Sequence, residues 1–167
     1  MSGTTHRTSI SYIDRTREYY HALGYAKPYV WARHTDAAFA ALAKPLAQSR
    51  LALVTTASPW REDQAADGAP RGSKRVWSGA TEVPPARLHT EDLAWDKVTT
   101  HTRDVESFLP IRRLQEAVAA RRIGSLAARF HGVPTDYSQR RTIEQDVPEI
   151  LARCREDEVD IALLVPL

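Results

Sequence analysis

The feature that most constrains the fold is an unbroken apolar run, Ile-Ala-Leu-Leu-Val-Pro-Leu, at residues 161–167. The run lacks the polar alternation of a strand with one face in water, so it predicts a strand that is covered on both faces. Such strands are typical of parallel sheets with helices on both sides, in which ligands bind beyond the carboxyl ends of the strands. The run therefore predicts an α/β fold with a functional site close to where the run ends.

The rest of the chain supplies the other elements of such a sheet. A second aliphatic run, residues 50–56, predicts its first strand, and residues 125–133 predict a further short strand. Apolar residues recur at spacings of three and four over residues 110–122 and 137–156, which indicates two amphipathic helices, the second divided at its proline. The order strand–helix–strand–helix–strand predicts an open, mainly parallel sheet with flanking helices and right-handed crossovers.

Length and composition indicate a single α/β domain over residues 1–167. The 23 basic and 21 acidic residues leave a net charge of +2, which does not favour a nucleic-acid partner. The sequence shows no signal peptide and no apolar run of membrane-spanning length, so we expect a cytoplasmic protein with no membrane partner. The N-terminal third is predicted to be irregular, apart from a helix that ends at Gly24. Residues 59–75, rich in Gly, Pro, Ala and charge, predict a flexible loop.

Candidate ligand-binding side chains follow the predicted strands at their carboxyl ends, where a rigid scaffold positions loop residues. Thr55 and Thr56 end the first strand, and their hydroxyls fit either a bound carboxylate or phosphate or the capping of a turn. His131 fits an acid–base group, a donor to an anionic substrate, or a hydrogen-bonded structural histidine. Together with Tyr137 just beyond it, these residues are our predicted substrate-binding set.

A further group, Asp96, His101 and Asp104, suggests metal binding but is an incomplete ligand set in an irregular segment. The alternative is a hydrogen-bonded loop in which Asp104 caps the following turn. We therefore predict no metal site and keep His101 and Asp104 as secondary substrate-binding candidates. Cys154 falls on the apolar face of a predicted helix, which favours an inert packing role over a nucleophile.

Several segments in order resemble one family, the selenoprotein B family of glycine, sarcosine, betaine and D-proline reductases. These segments are YIDRTREYY at 12–20, LALVTTA at 51–57, Asp104 with FLPIRRL at 108–114, and IGSL at 123–126. The likeness runs from about Tyr12 to Leu167 and is weakest in the 59–75 loop. No single segment is as specific as a metal-binding signature, and the ordered series carries the resemblance.

The resemblance implies a component B-like subunit that cleaves a C–N bond in a small amino acid or betaine. A thiol reductant or other reductase subunits would be its partners. In that family, selenocysteine or cysteine follows a strand such as 161–167, then proline and a second cysteine. The first of these attacks the substrate carbon and expels an amine, and the second resolves the intermediate. That position would follow Leu167, so no residue here is assigned as catalytic, the chain itself carries no cofactor, and Cys154 does not match the motif.

Two explanations of the missing motif stay open. Either the chain is truncated, at a UGA codon read as a stop or by a cut there, and lacks the C-terminal part of the family domain. Or it is a genuine short subunit whose partner supplies the thiol. A function of another class stays open as well, namely a non-catalytic binding or assembly subunit that holds a small anionic ligand at the strand ends.

Overall fold

A computed structural model of the protein describes residues 11–28, 30, 33–36, 40–60, 75–90, 98–99, 101–133 and 138–167. The chain divides into two compact units, residues 1–39 and 40–167. Among the described residues there is no helix long and apolar enough to cross a membrane. Most of the predicted 59–75 loop, residues 61–74, lies outside the described residues, as does Tyr137.

The smaller unit contains helix α1, Tyr12–Ala22. The helix ends as the sequence predicts, because Gly24 adopts a φ of +85°, which L side chains rarely tolerate. Tyr20 makes edge-to-face contacts with Tyr19 and Tyr25, each with 5.6 Å between ring centroids. No residue of α1 is buried, so the packing described in this unit is aromatic rather than aliphatic.

The larger unit contains the predicted sheet. Its described strands are β1 (Arg50–Thr55), β2 (Ser58–Pro59), β3 (Trp77–Ala80), β4 (Leu88–His89), β5 (Ser125–Leu126), β6 (Arg129–Gly132) and β7 (Ile161–Val165). β1 pairs in parallel with β5, β6 and β7, whereas β3 adds to β6 in the antiparallel sense. β2 and β4 form a separate antiparallel pair. The α/β fold with a mainly parallel sheet is therefore confirmed.

β1 is the central strand of the main sheet. The carbonyls of Leu51 and Thr55 accept hydrogen bonds from the N–H groups of Ala127 and Val133, which follow β5 and β6. The carbonyl of Arg50 points the other way and accepts from the N–H of Asp160, just before β7. Since successive carbonyls along a strand face opposite neighbours, β5 and β6 share one side of β1 and β7 takes the other.

Helices cover the two faces of this sheet. They are α2 (Ile111–Ala119), the short α3 (Gln139–Arg141) and α4 (Val147–Glu156), with a π-helical turn at Thr142–Asp146 between the last two. The α2 face buries Leu51, Leu53 and Phe130 in the main core, and the α4 face packs Cys154 against Ala52. Pro148 has no N–H for the helical ladder, and the predicted division of this helix lies immediately before it.

The terminal strand corrects one expectation. β7 was predicted to be covered on both faces, but Ala162, Leu163 and Leu164 are exposed, with 67% of Leu164 accessible. The cause is its position, because among the described strands β7 pairs with β1 alone and so lies at the edge of the sheet. Ile161 and Val165 still pack against the α2-side core.

Candidate functional site

A groove of about 590 Å³ runs between α4 and β7 and reaches the carboxyl ends of the parallel strands. Its described lining is mostly aliphatic and comes from β1, α4, β7 and the turns beside them. The apolar lining residues include Val54, Val133, Val147, Ile150, Leu151, Cys154, Val159, Ile161, Ala162, Leu164 and Val165. The polar residues of the lining are Thr55, Thr56, Thr142, Asp146 and Asp160. Its location is the one that the fold favours for a ligand.

Both predicted threonines lie at this groove. Thr55 is buried, and its Oγ1 accepts a hydrogen bond from the N–H of Ala57 at 3.3 Å, so the hydroxyl also braces the turn after β1. Thr56 Oγ1 accepts from the N–H of Leu167 at 2.9 Å and thereby fixes the segment after β7 beside the end of β1. The turn-capping alternative is thus observed for Thr55, and substrate binding by the pair stays a prediction.

His131 lies one strand away and outside the described lining of the groove. It is fully buried on β6, where its Nδ1 is 2.8 Å from the hydroxyl of Ser78. That hydroxyl also accepts a hydrogen bond from Arg153 Nη1 at 2.6 Å, and its second lone pair leaves it able either to donate to Nδ1 or to accept from it. Nε2 of the ring has no hydrogen-bond partner within the described structure.

The environment of His131 disfavours its charged form. Burial lowers its pKa, and the positive charge of Arg129 lowers it further. Ser78 and Arg153 continue as a chain of hydrogen bonds to Glu149, with Arg153 Nη2 2.5 Å from its Oε1. This arrangement fits the structural-histidine alternative at Nδ1 but leaves Nε2 without a partner in the described structure, and a role in substrate binding stays a prediction.

The secondary candidates lie in the segment before α2. Asp104 is exposed, and its carboxylate accepts a hydrogen bond from the N–H of Glu106 at 3.0 Å, which caps the 3₁₀ turn Val105–Ser107. His101 is also exposed. The described residues contain no group of three or more potential metal-ligating His, Cys, Asp or Glu side chains, and Asp96 falls outside the described residues.

Asp146 and Thr142 also line the groove, although they were not among the predicted site residues. Asp146 is buried to 7% exposure and lines the groove from the π-helical turn. Thr142, Asp146, Ile150 and Cys154 follow one another at four-residue spacing, so all four share one helical stripe. This spacing is visible in the sequence and indicates that Thr142 and Asp146 face the same side of the helix as Ile150 and Cys154.

The charged side chains in the described lining are both acidic. Asp160 is engaged, since it accepts from the N–H of Arg50 at 2.7 Å and pairs with Lys44 Nζ at 2.7 Å. The hydrogen bond from Arg50 and then that from Lys44 lower the pKa of this carboxyl. Asp146 is the more enclosed of the two, and it also takes part in an interaction of its own. An aliphatic groove with a buried carboxyl group suits a ligand with apolar substituents around a positive charge.

Cys154 lines the same groove but is poorly suited to nucleophilic chemistry. The thiol is buried on the inner face of α4, as the sequence predicts, and burial raises its pKa. A raised pKa leaves the less reactive thiol form dominant near neutral pH.

Comparisons with protein families, with curated proteins and with solved structures find no match to this chain. The resemblance to the selenoprotein B family stays a prediction.

Proposed function

We propose that this chain is a component B-like subunit of a glycine-, sarcosine-, betaine- or D-proline-type reductase, and that the α4–β7 groove receives the substrate. The observation that carries the proposal is the groove itself, which reaches the carboxyl ends of β1 and β7 and has Asp146 and Asp160 as its charged described residues. The ordered segments that resemble the family support the reaction class.

The cationic end of these substrates fits the groove, and the hydroxyls of Thr55 and Thr56 are the candidates for their carboxylate. Each carries an ammonium nitrogen, and in sarcosine, betaine and D-proline that nitrogen also bears methyl or ring carbons. A quaternary ammonium has no hydrogen to donate, so its binding depends on apolar contact and on a nearby negative charge. Val147 and Leu151 supply apolar surface, and Asp146 supplies the carboxyl group.

The reaction needs a pair of thiols or a selenol and a thiol. A thiolate or selenolate forms a bond to the carbon that carries the nitrogen, the C–N bond breaks, and the nitrogen takes a proton. It leaves as a free amine or, from the ring of D-proline, stays on the opened product as an amino group. The second thiol then attacks the first chalcogen, so that carbon takes a proton and the pair is oxidised to a disulfide or selenosulfide. An external dithiol restores the pair. Such chemistry suits the reducing cytoplasm.

Cys154 does not provide this pair, because it is a single buried thiol with a raised pKa. We therefore assign substrate binding to this chain and the redox pair to residues outside it. The codons after that of Leu167, and any protein that co-purifies with the chain, show which source supplies the pair.

Binding is tested by titrating the purified chain with glycine betaine, sarcosine, D-proline and glycine, using calorimetry or NMR. We expect Asp146→Asn to weaken betaine binding by about tenfold, as removal of a partly desolvated charge interaction would. Asp14→Asn, which removes the same charge from the smaller unit, is the matched control. Betaine affinity that is unaltered in Asp146→Asn would contradict the proposed site.

Turnover is tested separately with a dithiol and each substrate. The 167-residue chain is expected to release no amine by itself, and release is expected once the redox pair is supplied. Amine release by the lone chain that disappears in Cys154→Ser would refute the assignment of the pair to residues outside it.

A further inference from the structure

A second cleft lies on the opposite face and at the opposite edge of the sheet from the groove. It consists of two adjoining hollows of about 350 and 560 Å³, which share Trp60, Ala86, Arg87 and Leu88. We call it the Trp60 cleft. None of its described lining residues also lines the α4–β7 groove, so an inference about it does not depend on the proposed function.

The smaller hollow is polar and positively charged. Arg87 and Arg103 line it together with the hydroxyls of Thr90 and Thr102, which are 2.5 Å apart. No acidic residue is among its described lining residues. Guanidinium groups match carboxylate and phosphate oxygens in geometry as well as in charge.

The two arginines are exposed, and they differ in their pairing from three arginines of the chain that are partly buried. Arg50, Arg129 and Arg153 each form an ion pair with an acidic side chain. Within the described structure, neither Arg87 nor Arg103 forms a hydrogen bond or an ion pair. Two exposed cations that line one hollow without an acidic partner attract anions, most strongly at low ionic strength where screening is weakest.

The larger hollow is apolar and aromatic. It is lined by Trp77 and Phe130 from the β3–β6 pair and by prolines and Val83 from the neighbouring loops. Trp60, 40% exposed, stands at the boundary, and the guanidinium carbon of Arg87 lies 5.6 Å from its ring centroid. This cation–π contact holds one charge of the polar hollow beside the apolar one.

We propose that the Trp60 cleft binds a small amphiphilic anion, a carboxylate or phosphate group carried on an apolar or aromatic body. The oxyanion lies between Arg87 and Arg103 in the polar hollow. The body lies against Trp60 and the aromatic pair in the other hollow. The sizes of the two hollows lie within the usual range for small-molecule sites, about 300–1,000 Å³.

The test uses phenyl phosphate and phenylacetate as probes. Inorganic phosphate serves as the anion without an apolar or aromatic group. Binding to the full chain is measured by calorimetry and by ligand-observed NMR at low ionic strength. Arg87→Met and Arg103→Met each remove one guanidinium, and Arg122→Met removes an exposed arginine from the turn after α2 as the matched control. Far-UV circular dichroism shows whether each variant is folded.

We expect saturable binding of at least one phenyl probe with a Kd of about 1 mM or below. We expect each cleft variant to weaken it by about tenfold and Arg122→Met to leave it unchanged. Stronger binding of phenyl phosphate than of phenylacetate identifies a phosphate ligand, and the reverse identifies a carboxylate. Absence of saturation by both probes, equal loss in Arg122→Met, or equal affinity for phenyl phosphate and inorganic phosphate would each overturn the proposal.

Discussion

Gly132 is the position where one added methyl group has the most predictable effect. In the β3–β6 pair Gly132 lies opposite Trp77, and Gly79 lies opposite Phe130. Each aromatic ring therefore covers a glycine on the neighbouring strand. A Cβ added at Gly132 would overlap the indole of Trp77 at Nε1, and one added at Gly79 would be 2.5 Å from Phe130 Cζ.

The indole has little room to move away. Its Nε1 donates a hydrogen bond to the carbonyl of Ala57 at 3.1 Å. It also packs edge-to-face on Phe130, with 5.3 Å between centroids and an interplanar angle of 85°. Overpacking costs about 1–3 kcal/mol, and loss of the hydrogen bond adds about 1 kcal/mol. The smaller backbone entropy of alanine in the unfolded chain offsets about 0.5–1 kcal/mol.

We therefore expect Gly132→Ala to lower the free energy of unfolding by about 1–3 kcal/mol, a large part of the usual total of about 5–15 kcal/mol. Urea unfolding followed by far-UV circular dichroism measures this change. The same substitution is then made in a Trp77→Leu background, where the smaller side chain leaves room and the cost should almost vanish. A cost that is equal in both backgrounds, or below about 0.5 kcal/mol in the first, would refute the overlap argument.

Three further predictions concern ionisable groups. Because the pKa of His131 is lowered in the folded chain, only the unfolded chain protonates this imidazole just below a pH of about 6.5. The free energy of unfolding should therefore fall by up to about 1.4 kcal/mol per pH unit as the pH decreases towards the folded-state pKa. His131→Asn should remove that slope in urea titrations at different pH. Cys154 should react with a disulfide reagent only after unfolding, and rapid labelling of the native protein would show that its burial is incomplete. Arg129 donates two 2.9 Å hydrogen bonds to Asp157 and lowers the pKa of that carboxyl. After allowance for solvent screening, Arg129→Met should lower the free energy of unfolding by about 1 kcal/mol at neutral pH. This difference from wild type should shrink as the pH falls below about 4, because protonated Asp157 no longer forms the ion pair.

The sequence was sufficient for the elements whose signal is local. The aliphatic runs that became β1 and β7, the 3.6-residue period of α2, and the break before Pro148 are all properties of neighbouring residues. β3 carried no such signal, because the tetrapeptide Trp-Ser-Gly-Ala at 77–80 is a good strand only opposite Phe130 and Gly132. The exposure of β7 was not predictable either, since the same apolar run suits a central or an edge strand and strand order is not encoded locally.

The same distinction applies to the candidate sites. Thr55 and Thr56 were identifiable because they end a recognisable strand. Asp146 was identifiable in principle from its four-residue spacing to Ile150 and Cys154, whereas the π-helical turn that carries it was not. The Trp60 cleft unites Trp60, Arg87 and Arg103 from three separate segments, so only the folded chain brings these residues together.

The pairing of β1 with β7 also determines when the sheet is completed during synthesis. Arg50 and Asp160, which are hydrogen-bonded where the two strands begin, are separated by 110 residues. A ribosome needs about 5–20 s to add that length. Throughout this interval, one side of β1 presents free amide and carbonyl groups beside the aliphatic side chains of Leu51, Leu53 and Val54. The nascent chain therefore exposes an unpaired, aggregation-prone strand edge until a chaperone binds it or β7 emerges and pairs with it.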